Sequence, residues 1–88
     1  MSASGKQTVE LRFFASARAA MGTNDLRVDL SGDPTIESVL GELAANDDRL
    51  GAVFGRCSFL VNGIATTDRE RVLTDGDRVD VLPPFAGG

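Results

Sequence analysis

One long helical stripe, flanked on both sides by apolar runs of period two, most limits what this 88-residue chain can fold into. In TIESVLGEL, Ile36, Val39, Leu40 and Leu43 fall at i, i+3, i+4 and i+7 and share one helix face, with Glu37 and Glu42 off it. In TVELRFF, by contrast, Val9, Leu11 and Phe13 point one way and Glu10 and Arg12 the other, which describes a strand with one buried face. LRVDL repeats that alternation through Leu26, Val28 and Leu30, and RVDVL through Val79 and Val81. Strands and helix are each apolar on one side only, so each must cover the other. The pattern predicts a single sheet with one main helix on one face, an α+β roll.

Local signals mark where these elements stop. Asp33 or Thr35 can cap the helix, and Pro34 is tolerated at its start, where a missing N–H costs no intrahelical bond. SARAAMG is a run of helix formers closed by Gly22, and predicts one or two helical turns between the first two strands. Leu50, Val53 and Phe54 repeat the helical spacing ahead of Gly55 and predict a short helix. Asn62-Gly63 supplies the positive φ angles of a two-residue hairpin turn, and Asp75-Gly76-Asp77 reads as a further turn. Pro83 and Pro84 end the last strand, since neither can donate to a ladder. This order suggests the β-grasp, or ubiquitin-like, arrangement. The first and last strands would then lie parallel at the centre of a mixed sheet, and a flexible C-terminal tail would leave from a central strand. A single domain is expected over residues 1–88, with a loose leader (1–7), a folded core (8–82) and an extended tail (83–88).

Composition restricts the chemistry. Apolar residues at 42% and charged residues at 25% are ordinary globular values, which argues against a disordered chain. A domain of this size leaves little room for an enclosed pocket. The chain has no His, Tyr or Trp and a single Cys, so the commonest general base and the commonest metal ligand are both missing. No resident metal or cofactor is expected, and one thiol cannot form an internal disulfide. Cys57 has no His to activate it; a small buried filler is its expected role, although Arg56 beside it could lower its pKa a little. Asp47-Asp48 and Asp75/Asp77 lack the further oxygen ligands of a calcium loop. Neither G-x-x-x-x-G-K-[ST] nor G-x-G-x-x-G occurs, so no phosphate cradle is built. A net charge of −4 disfavours nucleic acid and anionic membrane as partners. No signal segment opens the chain and no apolar run approaches ~18 residues, so a soluble cytoplasmic protein is expected.

Two features remain after the fold is accounted for. Phe14 breaks the alternation of the first strand: either a bulge or the strand's end tucks it in, or it is an exposed aromatic that meets a partner. The chain also closes on LPPFAGG. Pro83 and Pro84 favour an extended path at ~3.1 Å per residue, which would project Gly88 roughly 15–20 Å from the sheet. Gly87 and Gly88 carry no Cβ and can pass a slot too narrow for any other residue. Phe85 makes sense as an anchor in a partner's pocket. The group at the tip is the terminal carboxylate, ionised at neutral pH and inert as an acyl donor until another enzyme activates it.

RFFASAR, TIESVLGEL, VNG, LTDGDRVDVLPP and the terminal GG, in that order over residues 9–88, resemble the ubiquitin-like sulfur carriers of the MoaD/ThiS family. Within that family the resemblance is greatest to the MoaD branch, the small subunits of molybdopterin synthase. It implies that an E1-like adenylating enzyme of the MoeB/ThiF type uses ATP and Mg to attach AMP to the Gly88 carboxylate. A persulfide sulfur donor would then replace the AMP and leave a thiocarboxylate. The arm of Pro83, Pro84, Phe85, Ala86 and Gly87 would thread into a MoaE-like large subunit, where sulfur passes to cyclic pyranopterin monophosphate. By this mapping Gly88 is the reactive residue, Phe14 a possible partner surface, and the catalytic side chains belong to the partner. A carrier for thiazole or cysteine biosynthesis, a ubiquitin-like protein modifier and a plain interaction module with an idle tail are the alternatives.

Overall fold

A computed structural model of the protein describes residues 7–84. Strand β1 (Gln7–Phe13) buries Val9, Leu11 and Phe13, as the alternation requires, and begins at Gln7, one residue inside the expected leader. Helix α1 (Ala15–Met21) follows and is closed by Gly22 at φ 77°, whose N–H donates to the Arg18 carbonyl. Strand β2 (Asp25–Leu30) returns antiparallel to β1, in the register Val9↔Val28 and Leu11↔Leu26. Its Leu26, Val28 and Leu30 are only half-buried, because β2 is an edge strand.

Helices α2 (Ile36–Leu43) and α3 (Asp48–Gly55) are eight residues each. Of the two candidate caps for α2, Thr35 does the capping. Its hydroxyl accepts from the Ser38 N–H at 3.0 Å while the Ser38 hydroxyl accepts from the Thr35 N–H at 2.8 Å, so two otherwise unpaired donors are satisfied reciprocally. Pro34 consequently stands outside the helix rather than at its first turn; it is buried and its carbonyl accepts from the Leu73 N–H. Helix α3 is capped by Asp47, whose carboxylate accepts from the Leu50 N–H at 3.0 Å. It buries Leu50 and Phe54, and the Phe54 ring stacks on Phe13 with centroids 6.3 Å apart.

Strands β3 (Ser58–Val61) and β4 (Ile64–Thr66) form the hairpin, with φ 53° at Asn62 and 85° at Gly63. Both angles are positive, as the two-residue turn demands. Strand β5 (Arg78–Leu82) completes a five-stranded sheet of order β2-β1-β5-β3-β4, in which β1 and β5 are parallel and the other neighbours antiparallel. This is the expected β-grasp topology, with the first and last strands side by side at the centre.

One side chain ties the connecting loop to three separate elements. Arg69 donates to the Phe54 carbonyl at the end of α3 at 2.6 Å and to Glu37 of α2 at 3.2 Å, and its guanidinium lies 4.8 Å from the centroid of the Phe59 ring on β3. The bond to Phe54 and the ring contact are partly shielded from water and outweigh the exposed pairing with Glu37. Arg69→Met should cost about 1–3 kcal/mol and lower the melting temperature by roughly 10 °C, whereas Glu37→Gln should cost less than about 0.5 kcal/mol. Calorimetry on the two variants checks this; equal losses would place the stabilisation in the ion pair instead.

A second tie holds the hairpin to the start of β5. Asn62 donates from its amide to Asp77 at 2.9 Å and accepts from the Arg78 N–H at 3.0 Å, while Asp77 accepts from the Thr74 N–H at 2.9 Å. Burial alone pushes the Asp77 carboxyl up, but the bonds from Thr74 and Asn62 outweigh it and hold the group below its ordinary value. Its stabilisation is therefore complete above the unfolded value of about 4 and is lost as pH falls through the lower folded value. Asp77→Asn should be less stable than wild type at neutral pH, with the gap narrowing below about pH 4 in urea titrations; a constant gap would remove Asp77 as the acid-sensitive tie.

Candidate functional site

The C-terminal end of β5 is the place where the chain leaves the sheet. Ser58 of β3 faces Leu82, and its hydroxyl donates to the Leu82 carbonyl at 3.4 Å. Pro83 is not part of a free arm: it is buried, while Pro84 is exposed. The proline ring cannot join the ladder but is apolar, and it lines a groove with Ser16 of α1, Ala52 and Val53 of α3, and Arg56. The packed body of the chain thus reaches through Pro83, one residue beyond the expected folded core of 8–82. Phe85, Ala86, Gly87 and Gly88 lie outside the described residues.

Phe14 stands beside this exit on β1's side. The strand ends at Phe13, and Phe14 becomes the N-cap residue of α1, its carbonyl accepting from the N–H groups of Ala17 at 3.0 Å and Arg18 at 3.3 Å. Its ring is half-buried and lies 5.8 Å from the Arg12 guanidinium. It is thus tucked in at the strand's end, yet keeps part of its surface open. The turn from β1 into α1 passes through Ala15 at φ 51°, a left-handed angle that a non-glycine residue adopts at a cost of roughly 1–2 kcal/mol. Nothing in the sequence at Ala15 signals that conformation.

On the sheet face away from the helices, Arg12 and Asp80 form a two-pronged pair. Nε donates to Oδ1 at 2.8 Å and Nη2 to Oδ2 at 3.2 Å. Asp80 is only 6% exposed. The hydrogen bond and charge of Asp80 raise the Arg12 pKa still further, so the guanidinium is permanently charged. Alternation puts both residues on this outer face, but their pairing depends on the β1–β5 register, which no local signal reveals.

Cys57 is buried at the start of β3, and its thiol donates to the Val53 carbonyl at 3.2 Å. Burial pushes the thiol's pKa up; the nearby charge of Arg69, not the adjacent Arg56, acts in the other direction and does not offset it. This is the packing role expected for it. Among the described residues no three His, Cys, Asp or Glu side chains come together as a metal site would require, and no helix is long and apolar enough to cross a membrane. What the described residues do provide is mechanical: a tail root on a central strand, wedged by Pro83 and flanked by Phe14.

A small β-grasp domain with its C-terminus rooted on the central strand is the class of protein this geometry defines. Residues 11–88 match the ThiS family, and the chain belongs to that family. It is 34% identical to the molybdopterin synthase sulfur carrier subunit of Escherichia coli, covering 91% of this chain and 99% of that one. It is 36% identical to small archaeal modifier protein 3 of Haloferax volcanii, covering 91% and 98%. The solution structure of the Haloferax volcanii HVO 2177 protein superimposes with a TM-score of 0.78 at 35% identity, covering 96% of this chain and 89% of that one. The family resemblance read from the sequence is correct, and so is the β-grasp fold.

The thiol's environment yields a direct check. Cys57 in the folded protein should react slowly with a disulfide reagent at neutral pH and rapidly once urea unfolds the chain. Fast reaction in the folded state would show an activated thiol and overturn the packing role of Cys57.

Proposed function

We propose that this chain is the sulfur-carrier small subunit of a molybdopterin synthase, acting through the Gly88 carboxylate. The observation that carries the reading is the root of the tail: β5 is a central strand, and Pro83 just beyond it is buried in a groove with residues of α1 and α3. The family match runs through to Gly88, and a relative of matching length bears the sulfur-carrier name. In this reading an E1-like enzyme of the MoeB/ThiF type transfers AMP from ATP to the carboxylate, releasing pyrophosphate. The outer sulfur of a persulfide donor then displaces AMP to form an acyl disulfide, and a thiol cleaves its S–S bond, releasing the thiocarboxylate and ending as a disulfide with the donor. Pro84, Phe85, Ala86 and Gly87 form the threaded arm, with Phe85 as its anchor in the MoaE-like large subunit. Sulfur passes there to cyclic pyranopterin monophosphate, and the protein works in the cytoplasm as one part of a sulfurtransferase.

The Haloferax relative named as a modifier protein supports a second reading, in which Gly88 is joined to lysines of other proteins. The two differ in the product. Intact mass of the protein purified from its own host should reveal one sulfur-for-oxygen exchange at the C-terminus; a ladder of Gly88–lysine conjugates without that exchange would favour the modifier. Deleting Gly88 should leave the thermal melt unchanged and abolish acyl-adenylate formation, because a chain one residue short misses the nucleotide by ~3 Å. A truncated protein that is still adenylated would overturn the assignment of Gly88.

A further inference from the structure

The groove at the tail's root has a volume of about 400 Å³. Its buried and half-buried members, Pro83 and Val53, form the base, and the exposed Ser16, Ala52, Arg56 and Pro84 form the rim. The base is apolar. Among the described residues the Arg56 guanidinium has no hydrogen-bond or ion-pair partner, unlike those of Arg12 and Arg69. An unpaired cation beside apolar surface is thus set against the tail exit of a chain whose net charge is −4.

We propose that this groove is a second docking point for the large subunit that takes the tail, and that it receives an apolar side chain flanked by a carboxylate. The inference rests on the sulfur-carrier reading above. Covalent geometry supplies the link between the two contacts. The four residues beyond Pro84 extend at most about 14 Å, so a protein that holds the Gly88 carboxylate brings its own surface within that distance of Pro84. Pro84 is itself part of the groove's rim, so the groove lies within reach of a partner that holds Gly88. The chemistry of the lining then selects the occupant. An apolar side chain on the base removes Val53 and Pro83 from water. A carboxylate beside it meets Arg56, forming a charge-assisted hydrogen bond in a site that the docked partner has partly dried. Because the net charge of the carrier repels an acidic surface elsewhere, this contact also fixes which way round the partner sits.

Ala52 and Arg56 are four residues apart on the exposed side of α3 and its C-cap, so changes there leave the core intact. The test is calorimetric titration of the full chain against the molybdopterin synthase large subunit of the same organism, with thermal melts confirming that each variant is folded. Ala52→Glu and Arg56→Glu should each weaken binding by about ten-fold or more, while Arg71→Glu, an equally exposed reversal distant from the tail, should stay within about two-fold. Either groove variant within about two-fold of wild type overturns the proposal. A wild-type chain that does not bind the large subunit at all would overturn the sulfur-carrier reading, and the docking inference with it. Normal wild-type binding together with silent groove variants would overturn the docking inference alone.

Discussion

Parallel pairing of β1 with β5 is the constraint on which the rest of the molecule depends. Parallel neighbours cannot be joined by a tight turn, so part of the intervening chain has to cross over a face of the sheet. That is why α2 and α3 cover a single face. The pairing starts with Gly76 N–H donating to the Thr8 carbonyl at 2.9 Å and Glu10 N–H to the Asp77 carbonyl at 3.0 Å. It proceeds in the register Leu11↔Val79 and Phe13↔Val81, which sets four fully apolar side chains against the helices.

The same register places Arg12 opposite Asp80 on the other face. A pair with an exposed guanidinium adds little stability by itself. Its consequence is discrimination. A slip of one residue would turn Arg12 or Asp80 toward the helices and strip a charge of its partner, a penalty that burying one more apolar side chain could not offset. Apolar burial on one face and charge pairing on the other therefore specify one alignment of the two central strands. The direction of the chain as it leaves β5 follows from that alignment.

Elements whose signals are local were legible in the amino-acid sequence. The alternation of Val9, Leu11 and Phe13, the stripe of Ile36, Val39 and Leu40, and the turn at Asn62-Gly63 each carry their own explanation within a few residues. The features that escaped detection depend on neighbours distant in the chain. Arg69 binds Phe54, Glu37 and Phe59, none within nine positions of it, so no short window of sequence contains the set. Pro83 reads as tail because prolines end strands, yet its burial depends on α1 and α3 meeting behind it. Ala15 takes a left-handed angle that favours Gly or Asn, and the geometry of β1 and α1 imposes it against local preference. For the candidate site this means that the groove behind Pro83 could not be named in advance, because α1 and α3 that build it are distant from Pro83 in the chain.

Where the arm is rooted also bears on how it can work. Local opening is easiest at edges and termini and hardest in central strands, which separate only with the whole domain. A tail attached to β2 or β4 would move with its strand, and the position of its tip would be averaged over those openings. Attached to β5, and held one residue further by Pro83 in the groove, it starts from a point as stable as the fold itself. The burial of Pro83 is thus a geometric setting as much as a packing contact, since it carries the packed body of the chain one residue past the end of β5.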